Sequence, residues 1–106
     1  MKPPVEDTKQ SPIFKTKEKP VEKTGTAYAQ SKGWLVYKFV SPGNAGVPDR
    51  VYFREGKCVL VEWKRPSKNP KAKKRQEMQH NRLRRAGMAV YLLDDAHPAL
   101  LSMIFD

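Results

Sequence analysis

The apolar positions of this chain change their spacing several times, and each change marks an element boundary. Residues 1–19 carry almost no apolar pattern. They hold Pro3, Pro4, Pro12 and five lysines, and read as a disordered or loosely attached basic arm. Pro20 suits the first turn of a helix and Gly33 its end; between them Val21, Thr24, Tyr28 and Ser31 fall on one face, a weak stripe interrupted by Gly25. Trp34 to Val40 is aromatic and β-branched and stops at Ser41-Pro42-Gly43, which predicts a strand and then a glycine-rich loop to Gly46. Pro48 to Phe53 predicts a second strand, Glu55-Gly56 a tight turn, and Lys57 to Lys64 a third strand. Val59-Leu60-Val61 shows no polar alternation, as expected of a strand covered on both faces. Asn69-Pro70 supplies a cap and a first-turn proline for a helix to Ala86, closed by Gly87, with Ala72, Gln76, Gln79, Leu83 and Ala86 on one face. Met88 to Leu93 predicts a fourth strand. Ala96 to Phe105 predicts a short closing helix whose Leu100, Leu101, Ile104 and Phe105 need cover. This order predicts one α/β domain over residues 20–106, with a mixed central sheet of about four strands flanked by helices.

Composition narrows the chemistry. The 106 residues allow one modest core, since only 39% are hydrophobic and 30% are charged. Lys and Arg number 21 against 11 Asp and Glu, a formal charge of +10 that attracts polyanions, nucleic acid being the commonest. Ribosomal proteins and membrane-surface peptides share such a charge, so it does not decide alone. No apolar run approaches twenty residues, and the first residues lack the pattern of a secretory leader. The lone Cys58 excludes an internal disulfide and fits a reducing cytoplasm. With His80 and His97 the only histidines, a Cys/His zinc site within one chain is not expected, and both read as surface residues. A metal here is expected to be a hard ion on carboxylates, Mg2+ or Mn2+.

Gly46-Val47-Pro48-Asp49-Arg50 and, thirteen residues after Asp49, Glu62-Trp63-Lys64 supply that chemistry. If strands two and three pair through Glu55-Gly56, Asp49 and Glu62 become neighbours across the ladder, and Glu62 and Lys64, two apart, share a face. Two close carboxylates in a half-buried site call for a cation. A divalent ion polarises a phosphate oxygen and lowers the pKa of a bound water. Lys64 can orient that water or offset transition-state charge, about 2–4 kcal/mol for a preorganised group. The Trp63 carbonyl is a further possible metal ligand. Separately, acid-x-Lys on an exposed strand and Pro-Asp at a turn are ordinary structural features; their combination points to metal-dependent phosphodiester hydrolysis.

These motifs, with Gln76 eleven residues before Gly87, resemble the virus-type replication-repair nuclease (VRR-NUC) domain of the PD-(D/E)xK superfamily. Tyr37-Lys38-Phe39-Val40-Ser41-Pro42-Gly43 also resembles the family's segment before its Pro-Asp motif, and the likeness runs from about residue 18 to residue 93. It implies a restriction-endonuclease-like core, Asp49, Glu62 and Lys64 as the central triad, and a first-helix glutamate as a further metal ligand. Glu22, eleven residues before Gly33 as in the archaeal-type junction resolvases this stretch resembles, fits best; Glu18 fits less well. Glu22 also reads as a first-turn acid complementing the helix dipole. Gln76 and Gln79 are amides that need partners if buried, or belong to a polar margin; the spacing to Gly87 favours Gln76 as the catalytic-site amide.

From Lys64 to Arg85, ten basic residues stand against one acid, Glu77. Lys68, Lys71, Lys73, Lys74 and Arg75 surround a helix start whose amides also favour anions, and with Lys38 and Arg50 they form the expected DNA contacts. No helix-turn-helix or paired zinc ligands occur, nor interleaved aromatics as in single-strand binders, so recognition of DNA shape is expected. Trp34 and Trp63 read as core. The resulting expectation is a structure-specific DNA endonuclease acting on Holliday junctions or flaps in phage-type replication and repair. It would be homodimeric if the junction is the substrate, and cytoplasmic in a bacterial host if phage-encoded. Two alternatives are a nuclease subunit or nicking factor active only with a partner protein, and a basic DNA-binding protein without catalysis.

Overall fold

In the computed structural model, residues 18–65 and 67–106 are described, without the side chains of residues 18 and 19. The expected arm of residues 1–19 therefore lies almost wholly outside the described residues, as does the side chain of Glu18. Helix α1 (Glu18–Ser31) is followed by β1 (Leu35–Lys38), β2 (Arg50–Arg54), β3 (Lys57–Trp63), α2 (Pro70–Arg85), β4 (Ala89–Leu93) and α3 (Pro98–Phe105). The sheet order is β1-β2-β3-β4, antiparallel across the first two pairings and parallel between β3 and β4, which α2 connects. This is the mixed α/β sheet expected from the sequence.

Helices α1 and α3 cover one face of the sheet. There Tyr52, Val59, Val61 and Trp63 pack with Ala29, Trp34, Leu101 and Phe105 as the main core. The Trp34 indole donates to the Phe105 carbonyl at 2.9 Å, and the Trp63 indole donates to the Tyr52 hydroxyl at 2.6 Å, so both tryptophans are core, as expected. The α1 stripe differs from the sequence reading: Thr24 and Ser31 are exposed, while Val21, Gly25 and Ala29 line the inner face. Gly25 is there because a Cβ would lie 2.1 Å from the Trp63 ring. Its place in the stripe is thus a requirement of close packing rather than an interruption.

On the other face α2 packs against β4, with Gln76 and His80 buried. His80 is 3% exposed, which corrects its reading as a surface residue; a lone histidine in a basic helix carries no sign of which side the helix buries. His97 is exposed and caps α3, its Nδ1 accepting from the Ala99 amide at 3.1 Å. Asn69 caps α2 by accepting from the amides of Lys71 and Ala72, and Gly87 follows it at φ +95°. The strands are shorter than predicted. Trp34, Phe39 and Val40 fall outside β1, and β2 starts at Arg50. Asp49 therefore precedes the strand rather than standing inside it, although its carbonyl still accepts from the Phe39 amide at 2.9 Å.

Candidate active site

The β2–β3 ladder pairs Arg50 with Val61, and the same register carried one residue further sets Asp49 opposite Glu62. Opposed residues in an antiparallel pair point to one side, which is the side that α2 covers. Glu62 lies within a continuously buried run from Val59 to Trp63 and is only 3% exposed, while Asp49 is half-buried after the buried Pro48. A buried carboxylate ordinarily finds hydrogen-bond donors, yet Asp49 Oδ1 is buried without a partner.

The electrostatics follow from this placement. Burial pushes both carboxyls above the ordinary acid range; the Asp49 charge raises Glu62 further, and the Glu22 charge raises Asp49. Arg50 and the Trp63 amide draw Asp49 back down, and Lys64 does so for Glu62. Lys64, just beyond β3, sets its Nζ 3.2 Å from Glu62 Oε2. Two desolvated hard-oxygen donors, one with an unpaired buried lone pair, fit a divalent cation of the magnesium or manganese type. The Trp63 carbonyl belongs to the residue after Glu62 and so lies at the same strand end.

Glu22 reaches the site from α1 but is engaged otherwise: its Oε2 accepts from Arg50 Nε at 2.6 Å. It is near enough to raise the Asp49 pKa. Among the described residues, however, no group of three or more His, Cys, Asp or Glu side chains is gathered closely enough to hold a metal. Arg50, expected at DNA, is thus committed to Glu22 and to the Asp49 carbonyl at 3.5 Å. No spacing rule in the sequence couples a helix glutamate to the residue after the Pro-Asp motif; the ladder and α1 packing do. Gln76 is 8% exposed, seated by Gly46, whose φ of +99° lets the glycine loop lie flat on α2. A Cβ at Gly46 would stand 2.9 Å from the backbone of Arg75 and Gln76.

No family model matches the chain. A protein of Acyrthosiphon pisum secondary endosymbiont phage 1 named "Putative nuclease p44" is 41% identical over 75 residues, spanning 70% of this chain and 78% of that protein. A solved structure described as a VRR_NUC domain superposes with a TM-score of 0.68 at 27% identity, covering 84% of this chain and 94% of that one. The chain belongs to the VRR-NUC family.

Within this VRR-NUC domain, Asp49, Glu62 and Lys64 meet at one strand end as the sequence motif requires, with Gln76 on the covering helix and Glu22 held to one side by Arg50. Lys68, Lys71, Lys73, Lys74 and Arg75 are exposed in the loop and first turns that follow Lys64, and Lys38 is exposed at the end of β1. What the sequence reading did not find is an aromatic pair. Tyr37 and Phe53 are sixteen positions apart in the chain but diagonal neighbours across the β1–β2 ladder, with ring centroids 6.3 Å apart.

Proposed function

We propose that this VRR-NUC domain is a Mg2+- or Mn2+-dependent endonuclease that hydrolyses DNA phosphodiester bonds, with preference for branched DNA such as Holliday junctions or flaps. The observation carrying this reading is the pair of buried Glu62 and half-buried Asp49, whose Oδ1 lacks a partner, with Lys64 beside it, since such a pair is costly unless a cation completes it. Asp49 and Glu62, with the Trp63 carbonyl, would hold the ion. When bound, it would polarise a phosphate oxygen and lower the pKa of a water.

The chain's own groups do the rest. Lys64 places a positive charge where negative charge accumulates on the phosphate. The exposed lysines and arginine at the start of α2 hold flanking phosphates. Gln76, buried on the covering helix, is the amide this reading assigns to the site. Glu22 fixes Arg50, which in turn restrains the backbone at Asp49; with Arg50 released, Glu22 becomes the further acidic ligand that the family resemblance implies. A non-catalytic DNA-binding role leaves the buried carboxylates without a purpose, as they repel phosphate.

A two-fold junction needs two active sites for symmetric cutting, so a homodimer goes with that substrate. The bacterial cytoplasm, during phage-type replication and repair, is the setting in which such DNA arises. The test is cleavage of a labelled four-way junction, a flap, single-stranded DNA and linear duplex with Mg2+ or Mn2+. Faster cutting of the branched substrates is expected. Equal rates on all four would remove the structural preference, and silence on all four would overturn an enzyme active by itself in favour of a partner-dependent subunit or a DNA-binding protein without catalysis.

A further inference from the structure

The face of the sheet that carries Asp49 and Glu62 is only partly covered. The registers Leu35↔Phe53, Tyr37↔Val51 and Phe53↔Cys58 put these residues on that face. Helix α2 packs over β4 and leaves the β1–β2 half open, so Leu35, Tyr37 and Phe53 are 60%, 56% and 41% exposed. Tyr37 and Phe53 lie with their planes tilted by 56°. Val51, opposite Tyr37, is two residues from Asp49, and Phe53 is four. At about 3.3 Å per residue, the rings stand roughly 7 and 13 Å along the strand from the acidic pair, or about two to four stacked nucleotides away. At the hairpin end an open groove of about 520 Å³ is lined by Leu35, Phe53 and Cys58 together with Lys32, Arg54 and Lys57, against one acid, Glu55.

An apolar, aromatic face beside cations, on a chain of charge +10, suits an anionic partner that presents flat apolar rings. A second copy of this chain would bring the same positive rim against itself. Paired DNA hides its base faces, whereas unpaired or branch-point bases expose them and stack on aromatic side chains whatever their sequence. From this we infer that Tyr37 and Phe53 form a stacking platform for unpaired bases next to the scissile phosphate. The substrate class is then DNA with a single-stranded segment or an opened branch rather than uniform duplex. This rests on the nuclease reading and adds the part of the substrate that the acidic pair does not touch.

The test is fluorescence anisotropy of the full chain, in chelator, with a labelled oligothymidylate and a blunt duplex of equal length. Tyr37→Ala and Phe53→Ala should each weaken oligothymidylate binding about tenfold and duplex binding less than about twofold. The slope of affinity against salt should stay unchanged, because no phosphate contact is lost. Tyr37→Phe should bind as the parent does, which separates ring stacking from a hydroxyl or folding effect. Equal loss on both DNAs, or no loss on either, overturns the platform. So does unchanged affinity with a shift from dimer to monomer in sedimentation, which would assign the face to a second copy. Metal-dependent cleavage of the same oligothymidylate, with Asp49→Ala as control, reports on the nuclease reading separately.

Discussion

Glu62 is the residue on which burial and function conflict most directly. Its folded pKa is raised by burial and by Asp49, so the ionised form opposes folding. Stability from such a group is complete below its unfolded pKa and is lost as pH rises through the folded value. At neutral pH without metal, Glu62→Gln should therefore raise the thermal midpoint by a few degrees, while Mg2+ or Mn2+ should stabilise the parent and not the variant. A lowered midpoint in the variant, or equal metal stabilisation of both, would contradict the cation site. His80 runs the other way. Burial, then Arg84, lowers its pKa, so the neutral ring is favoured in the fold. Its contribution is present above the ordinary histidine pKa and is lost as pH falls below it, because the unfolded chain takes up the proton first. Relative to a His80→Leu variant, the parent should lose stability between neutral and mildly acid pH; parallel stability profiles would show that His80 is not buried neutral.

Among the elements, the contact between α1 and β3 most clearly separates local propensity from packing. In an isolated helix Gly25→Ala gains about 1 kcal/mol, but here a Cβ meets the Trp63 indole at 2.1 Å. The net expectation is a loss of about 1 kcal/mol in denaturant unfolding, since overpacking a tight core costs roughly 1–3 kcal/mol and the propensity gain returns only about 1 of it. A stabilised variant would mean that α1 sits further from the sheet. The same contact shows what the sequence could and could not reveal. All seven elements and their order follow from periodicity, caps and turn residues, because those signals are local. The inner face of α1 was misread because it is set by a tryptophan thirty-eight positions away, and β1 was overextended because strand ends depend on the partner's length. Asp49, Glu62 and Lys64 were legible together because one hairpin brings them together. The Glu22–Arg50 bond, the burial of His80 and the Tyr37–Phe53 pair were not, since each depends on elements distant in sequence.

At the scale of the molecule, charge and carboxylates divide the labour. The +10 net charge favours a polyanionic partner, and the exposed basic start of α2 follows in the chain from the strand end that carries Glu62. Replacing Lys71, Lys73 and Lys74 together should weaken duplex binding and reduce the magnitude of the salt slope by about 2–3; an unchanged slope would place the DNA elsewhere. The central claim is that Asp49 and Glu62 hold the cation for phosphodiester hydrolysis, and one measurement addresses it most directly: cleavage of labelled branched DNA under Mg2+ or Mn2+ by the parent, Asp49→Ala and Glu62→Ala, each checked for folding and DNA affinity. Cutting by the parent that chelator abolishes, and a loss of at least about a hundredfold in both folded, DNA-binding variants, is the expected result. Cutting that persists in either variant would contradict it.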